Sequence, residues 1–234
     1  MYAKEQIRNA TLRKRARPSP KNTHTSRRFG IVSPKRRLKA HNESAIHLYT
    51  TKGTLMRLAI ASDIHGSAKW CEKFLKAADE EQADEIILLG DILYHGPRNE
   101  EPEGYDPKSV AAMLNERAGS IVAARGNCDA EVDQMMLEFP CMGDYALVLA
   151  DGMRLFCTHG HIFGSGLHNS VNNMPKLPKG SAFLFGHTHI KVNERDVHHS
   201  GVWLFNPGSV AIPKDSSHSF GVFDGKTFTH RILL

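Results

Sequence analysis

The sequence predicts an α/β domain of two packed β-sheets flanked by helices, and three observations carry that expectation. From Met56 onward, short apolar runs alternate with stretches of helical spacing, the strand-helix alternation that builds a parallel sheet. Beyond Pro140 the helical spacing gives way to short strand-like runs divided by Gly, Pro, Asn or Asp. No internal repeat interrupts this order, so a helix-rich half feeding a β-rich half folds most simply as one layered domain.

The elements follow in order. Residues 57–62 form an apolar strand that ends in Asp63-Ile64-His65-Gly66. Ser67 to about Glu81 is helical, because Trp70, Phe74, Leu75 and Ala78 fall on one face. Ile86-Ile87-Leu88-Leu89 is a second buried strand and ends in Gly90-Asp91. Residues 95–107 carry Gly, Pro and charge, the composition of a long loop, and a loop of that length beside a strand end is suited to be a lid. Pro107 opens a helix to about Ala118, with Val110, Met113 and Leu114 inward. Residues 121–124 are a third strand, ending in Arg125-Gly126-Asn127-Cys128-Asp129, and a short helix follows near 131–138. Strands are then expected at 145–149, 154–158, 182–185, 191–197, 202–205, 219–223 and 227–233, interrupted by one short helical piece near 168–174.

Charge is very unevenly distributed. Residues 1–53 hold 14 Lys and Arg against Glu5 and Glu43, whereas the remainder holds 16 against 23 acids, so the net charge of +5 belongs to the leader. Residues 1–55 are too poor in apolar side chains to bury a face and are expected to form a disordered basic extension. Its character fits a transit peptide or a nucleic-acid arm; the simplest expectation is that translation starts at Met56 and the domain spans 56–234. No nucleic-acid binding is expected of 56–234. Cys71, Cys128, Cys141 and Cys157 show no paired spacing, which argues against a disulfide framework or a zinc knuckle and for a reducing cytoplasm. No run is apolar enough to span a membrane.

The chemistry lies at the strand ends. Asp63-Ile64-His65, Gly90-Asp91, Gly126-Asn127-Cys128-Asp129, Thr158-His159-Gly160-His161 and Gly186-His187-Thr188-His189 each place oxygen or imidazole donors where an apolar run stops. Ligands bind at the carboxyl ends of strands in open α/β sheets. Each piece alone has an ordinary reading as a turn, a cap or a surface histidine. Turn chemistry alone does not readily produce five of them in one chain.

The order of the five pieces resembles the calcineurin-like metallophosphoesterases over residues 56–234. Tyr94-His95-Gly96-Pro97-Arg98-Asn99 and Asn206-Pro207-Gly208-Ser209-Val210 make it similar to the small bacterial YfcE-type phosphodiesterases. The resemblance implies a four-layer αββα sandwich of two mixed sheets, metallo-dependent phosphatase-like. It implies Asp63, His65 and His189 as ligands of one divalent metal ion, Asn127, His159 and His187 as ligands of a second, and Asp91 as a bridge. Imidazole, carboxylate and amide donors without thiolate suit Mn²⁺ first, with Ni²⁺, Co²⁺, Fe²⁺ or Zn²⁺ as alternatives. Of the four positive charges on two such ions, Asp63 and Asp91 cancel two; a bridging hydroxide and one phosphodiester anion cancel the rest.

The activity implied is hydrolysis of a small phosphodiester by that hydroxide, with Asn127, Cys128 and Arg125 as catalytic candidates. Much of the wider family has histidine where this chain has Cys128, and a thiol with a reference pKa of ~8.5 is no standing cation. Weak protonation of the leaving group is the expectation, although Cys128 as a small buried residue is the equal alternative. His95, Arg98 and Asn99 on the lid are candidates for substrate phosphate, and Arg125 is equally suited to a structural ion pair. The Asn206-Pro207-Gly208 turn is expected to shape the site. Self-association into a homo-oligomer is compatible with the sequence, and no membrane partner is expected. A different class of function, an interaction scaffold, is represented by a retromer subunit of similar fold that has lost much of its metal-binding equipment; intact ligands here weigh against it.

Overall fold

The structure, a computed structural model, describes residues 46–48 and 55–234. Two mixed sheets form its framework. The first holds β2 (Leu58–Ala61), β3 (Glu85–Leu88) and β4 (Ile121–Ala123) in parallel, with β10 (Ser219–Phe223) and β11 (Phe228–Ile232) added antiparallel, in the order β11-β10-β2-β3-β4. The second has the order β1-β5-β6-β7-β9-β8, from β1 (Ile46–Leu48), β5 (Tyr145–Ala150), β6 (Met153–Thr158), β7 (Ala182–Leu184), β8 (Lys191–Asp196) and β9 (Val202–Pro207). Every strand expected from the sequence is present, with ends shifted by a residue or two.

Period-two alternation explains how one strand serves two layers. Leu58 and Ile60 of β2 point between the sheets, with Ile87, Val122, Leu155, Leu184 and Phe205. Ala59 and Ala61 point the other way, under the helices. Those helices are α1 (Ala68–Glu80) and α2 (Pro107–Asn115). Helix α1 starts where Ser67 caps it, its hydroxyl accepting from the Trp70 N–H, and it buries Trp70, Phe74, Leu75 and Ala78. Asp106 caps α2 and Pro107 opens it. A third helix, α3 (Glu131–Met136), is short and leaves Val132 and Met135 exposed.

Two expectations need correction. Residues 46–48 lie in the stretch expected to be disordered, yet they form β1, paired in parallel with β5 at the sheet edge. The remainder of that stretch, 1–45 and 49–54, lies outside the described residues. The helical piece near 168–174 does not form. Residues 161–180 are irregular, pinned by the Ser165–Asn172 bridge and by Val171 N–H donating to the Gly160 carbonyl. Phe163, Leu167, Met174 and Leu177 have helical spacing, but His168-Asn169-Ser170, Asn172-Asn173 and Pro175 disfavour a helix through them. This loop, and not a helix, packs on Phe156, Phe183, Phe185 and Leu204, so the layer outside the second sheet is made of loop.

Phe205 shows how tightly the sheets meet. It is wholly buried, stacks on Phe228 and His230 at 4.9 Å, and faces Gly221, where a Cβ would approach its ring to 2.3 Å. Phe205→Ala is expected to cost about 3–5 kcal/mol, read as a shift in the midpoint of denaturant unfolding.

Candidate metal centre

The ends of β3, β4 and β7 open onto a cavity of about 950 Å³, lined by Asp91, Asn127, His187 and His189, and the ends of β2 and β6 bring Asp63, His65 and His159, wholly buried, up behind it. At each end the chain must turn sharply, and five of the seven candidate ligands do so in the left-handed region. Asp63, His65, Asp91, His187 and His189 have φ of 57°, 48°, 53°, 66° and 59°. That conformation costs a side-chain-bearing residue roughly 1–2 kcal/mol. Backbone bonds hold it: Asp63 N–H donates to Gly90, His65 N–H to Asp91 and Gly66 N–H to Ile92, zipping the two strand-end loops together.

Two glycines permit the approach. A Cβ on Gly126 would lie 2.0 Å from Asp91 Oδ1, and one on Gly186 would lie 1.8 Å from the Ser62 hydroxyl. Asp129 holds the same region from beneath: its buried carboxylate accepts the backbone N–H groups of Asp91, Ile92 and Gly126 at 2.7–2.9 Å. Asn206 spans the Gly186-His187-Thr188 turn, donating to the Gly186 carbonyl and the Thr188 hydroxyl. The Asn206 contacts are how its turn shapes the site, as the sequence leads one to expect; the role of Asp129 is visible only once the loops lie side by side.

The donor atoms converge. Asp63 Oδ1 lies 3.1 Å from His189 Nε2 and 3.6 Å from His65 Nε2, while the two imidazole nitrogens are 3.3 Å apart. Asp91 Oδ2 lies 3.3 Å from His159 Nε2 and 3.7 Å from His65 Nε2, between the two groups. Asn127 Oδ1 is 3.1 Å from His159 Nε2. His187 lines the cavity, its ring 5.1 Å from that of His159, and its backbone N–H donates to Asp63 Oδ2.

A divalent cation fits this arrangement. His65, His159 and His189 each place Nδ1 on a backbone carbonyl, of Tyr94, Leu89 and Ile212 respectively. That fixes the tautomer and leaves each Nε2 lone pair facing the carboxylates. Asp63 Oδ1 is buried and has no hydrogen-bond partner. Lone pairs packed this closely repel unless a proton or a cation lies among them.

The protons show the same tension. Burial opposes charge on His159, but Asp91 and Asp63 outweigh it and raise its pKa to about 9. Burial likewise opposes ionisation of Asp91, yet His159 holds it near about 2; Asp63 is held well below the usual range by His189 and His159 against the same burial. Burial, reinforced by His159, pushes His187 and His161 down to about 4. His161 adjoins His159 at 5.3 Å between ring centroids, with a buried Nδ1 that has no partner.

The remaining candidates separate. Arg98 and Asn99 line the cavity; His95 does not, and packs edge-on against Tyr94 and Tyr105. Arg125 is a correction: its guanidinium is committed to Asp144 at 2.7 Å and it does not line the cavity, so its geometry is that of an ion pair. Cys128 lines the cavity with its N–H on Asp91 Oδ1. Burial, with Asp91 beside it, pushes its thiol up, which keeps it neutral. Lys214 and Asn169 also line the cavity, and neither was anticipated.

Because His159 holds its proton toward pH 9, a cation that binds through its Nε2 would displace that proton. The apparent affinity for Mn²⁺ is expected to rise about tenfold per pH unit below about 9 and then level off, with at least one proton released into the buffer. Calorimetry of the metal-free protein in buffers of different ionisation enthalpy measures both; an affinity unchanged from about pH 6 to about pH 8 would exclude His159 as a displaced-proton ligand.

Comparison with known proteins agrees with this geometry. Residues 56–227 match the model of the calcineurin-like phosphoesterase superfamily domain. The chain is 46% identical to phosphodiesterase YfcE of Escherichia coli over 171 residues, 73% of this chain and 88% of that protein. It is 24% identical to phosphodiesterase MJ0936 of Methanocaldococcus jannaschii, over 76% of this chain and 99% of the relative. The solved structure of YfcE, a phosphoesterase from E. coli, superposes with a TM-score of 0.68 and 40% identity, covering 76% of this chain and all of that one. With the family's domain matched over residues 56–227 and a phosphodiesterase of 46% identity beside it, this chain belongs to the calcineurin-like phosphoesterase superfamily.

Proposed function

We propose that this chain is a phosphodiesterase that works with two divalent cations, Mn²⁺ by preference. The observation that supports it best is the convergence of the Nε2 atoms of His65, His159 and His189 on the orphaned, buried Asp63 Oδ1 and on Asp91. Asp63, His65 and His189 would hold one ion, Asn127, His159 and His187 the other, with Asp91 between them. Bound there, such a pair lowers the pKa of a shared water and polarises the phosphoryl oxygen for in-line displacement.

The chain's own residues supply position and proton control. Backbone carbonyls behind His65, His159 and His189 keep the three rings from rotating. The 95–107 segment lies against the centre at Gly96, where a Cβ would reach the Cys128 sulfur at 2.8 Å. A histidine at 128 would therefore displace the lid as well as add an acid. With a neutral thiol held protonated at this position, departure of the leaving group receives little proton donation, so activated diesters are the better substrates. Four free cysteines, three of them buried, support a reducing cytoplasmic setting.

Two measurements test the reading. Metal-free protein supplied with Mn²⁺, Ni²⁺, Co²⁺, Fe²⁺ or Zn²⁺ is expected to hydrolyse bis(p-nitrophenyl) phosphate, and Asp91→Asn to lose at least about a hundredfold in kcat/KM; a variant as active as the parent would refute the assignment. Across a series of aryl diesters, Cys128→His is expected to flatten the dependence of rate on leaving-group pKa. An unchanged slope would leave Cys128 a packing residue only.

A further inference from the structure

The metal centre's charges are balanced by Asp63, Asp91, the nucleophile and one diester anion, but the cavity mouth carries two further cations. Arg98 comes from the lid and Lys214 from the loop between β9 and β10, and both are exposed. Among the described residues no carboxylate lies within salt-bridge distance of either. Asp215, beside Lys214 in sequence, is engaged by the Lys191 ammonium and backbone N–H. The acids of the lid, Glu100, Glu101 and Glu103, do not line the cavity, and Glu103 pairs with Lys69. Asp129 does line it, but its oxygens are taken by three backbone N–H groups.

The backbone that carries both cations is set by the centre itself. Lys214 N–H donates to the carbonyl of His189, whose ring Nδ1 is set on the Ile212 carbonyl two residues earlier in the same loop. Arg98 sits in a turn closed by the Asn99 amide donating to the His95 carbonyl, and that turn rests on Cys128 through Gly96. Asn169, from the loop that covers the second sheet, adds a neutral amide to the same mouth. The cavity volume of about 950 Å³ is several times that of a phosphate group, within the range that accepts nucleotide-sized ligands.

We propose that Arg98 and Lys214 form a second anion subsite, so that the substrate is a small phosphodiester carrying a further phosphate group. This rests on the phosphodiesterase reading and narrows it. Cations on anchored backbone that meet no protein acid attract a matching anion, and two of them at one mouth suit the dianion of a phosphomonoester.

The test uses two substrates with the same scissile ester and chromophore: thymidine 5′-(p-nitrophenyl phosphate), and the same compound with a 3′-phosphate. Assayed on the Mn²⁺-loaded full chain at low ionic strength, the 3′-phosphorylated compound is expected to have the higher kcat/KM by about tenfold or more, carried mainly by KM. Arg98→Ala and Lys214→Ala are each expected to bring that ratio below about three, and Lys214→Arg to retain it. Both positions are exposed, so these substitutions are expected to fold. A wild-type ratio near one, or a ratio that survives in the Arg98→Ala, Lys214→Ala double variant, overturns the subsite while leaving the phosphodiesterase reading intact. Failure of the wild type to cleave either compound overturns both.

Discussion

Two buried carboxylates, Asp63 and Asp91, stand close together at the heart of this fold, and much of the surrounding structure is arranged to keep them there. Each is enclosed by imidazoles, and each is held ionised against the cost of burial by those rings. Sites of this kind are expensive in isolation, because a buried charge must be compensated within a few ångströms. Here the compensating imidazoles come from one strand end of the first sheet, His65 after β2, and two of the second, His159 after β6 and His189 after β7. The sandwich is therefore what assembles the charge balance, and the centre in turn is what ties the two sheets at this edge.

The backbone bears the consequence. Left-handed residues at five ligand positions, and glycines at 126 and 186 with no room for a methyl group, are local costs accepted so that short side chains can meet. Asp129 and Asn206 repay part of that cost by satisfying the amides and carbonyls that such turns leave open. Removing either would act on the ligands without touching them.

Much of this was legible in the sequence. Short apolar runs set between turn residues mark the strands, since they are too short for a core helix, and a carboxylate, amide or imidazole after five of them marks the site. What could not be read was set by distance in sequence. Asp129 takes three backbone partners, two of them 37 and 38 residues away, and nothing in its own neighbourhood announces them. Lys214 looks like any loop lysine until its amide is seen on His189. Arg125 shows the converse: its sequence leaves a catalytic role and an ion pair equally open, and Asp144, 19 residues away, decides for the ion pair. The missing helix near 168–174 was misread because a loop fitted to a flat aromatic surface displays the same three- and four-residue spacing as a helix.

That loop has one more implication. The stretch 161–180 both seals Phe156, Phe183 and Phe185 from water and delivers Asn169 to the mouth of the cavity. Selection for a new ligand at the mouth would thus act on the same peptide that insulates the sheet, so drift in substrate preference and drift in heat tolerance are inherited together.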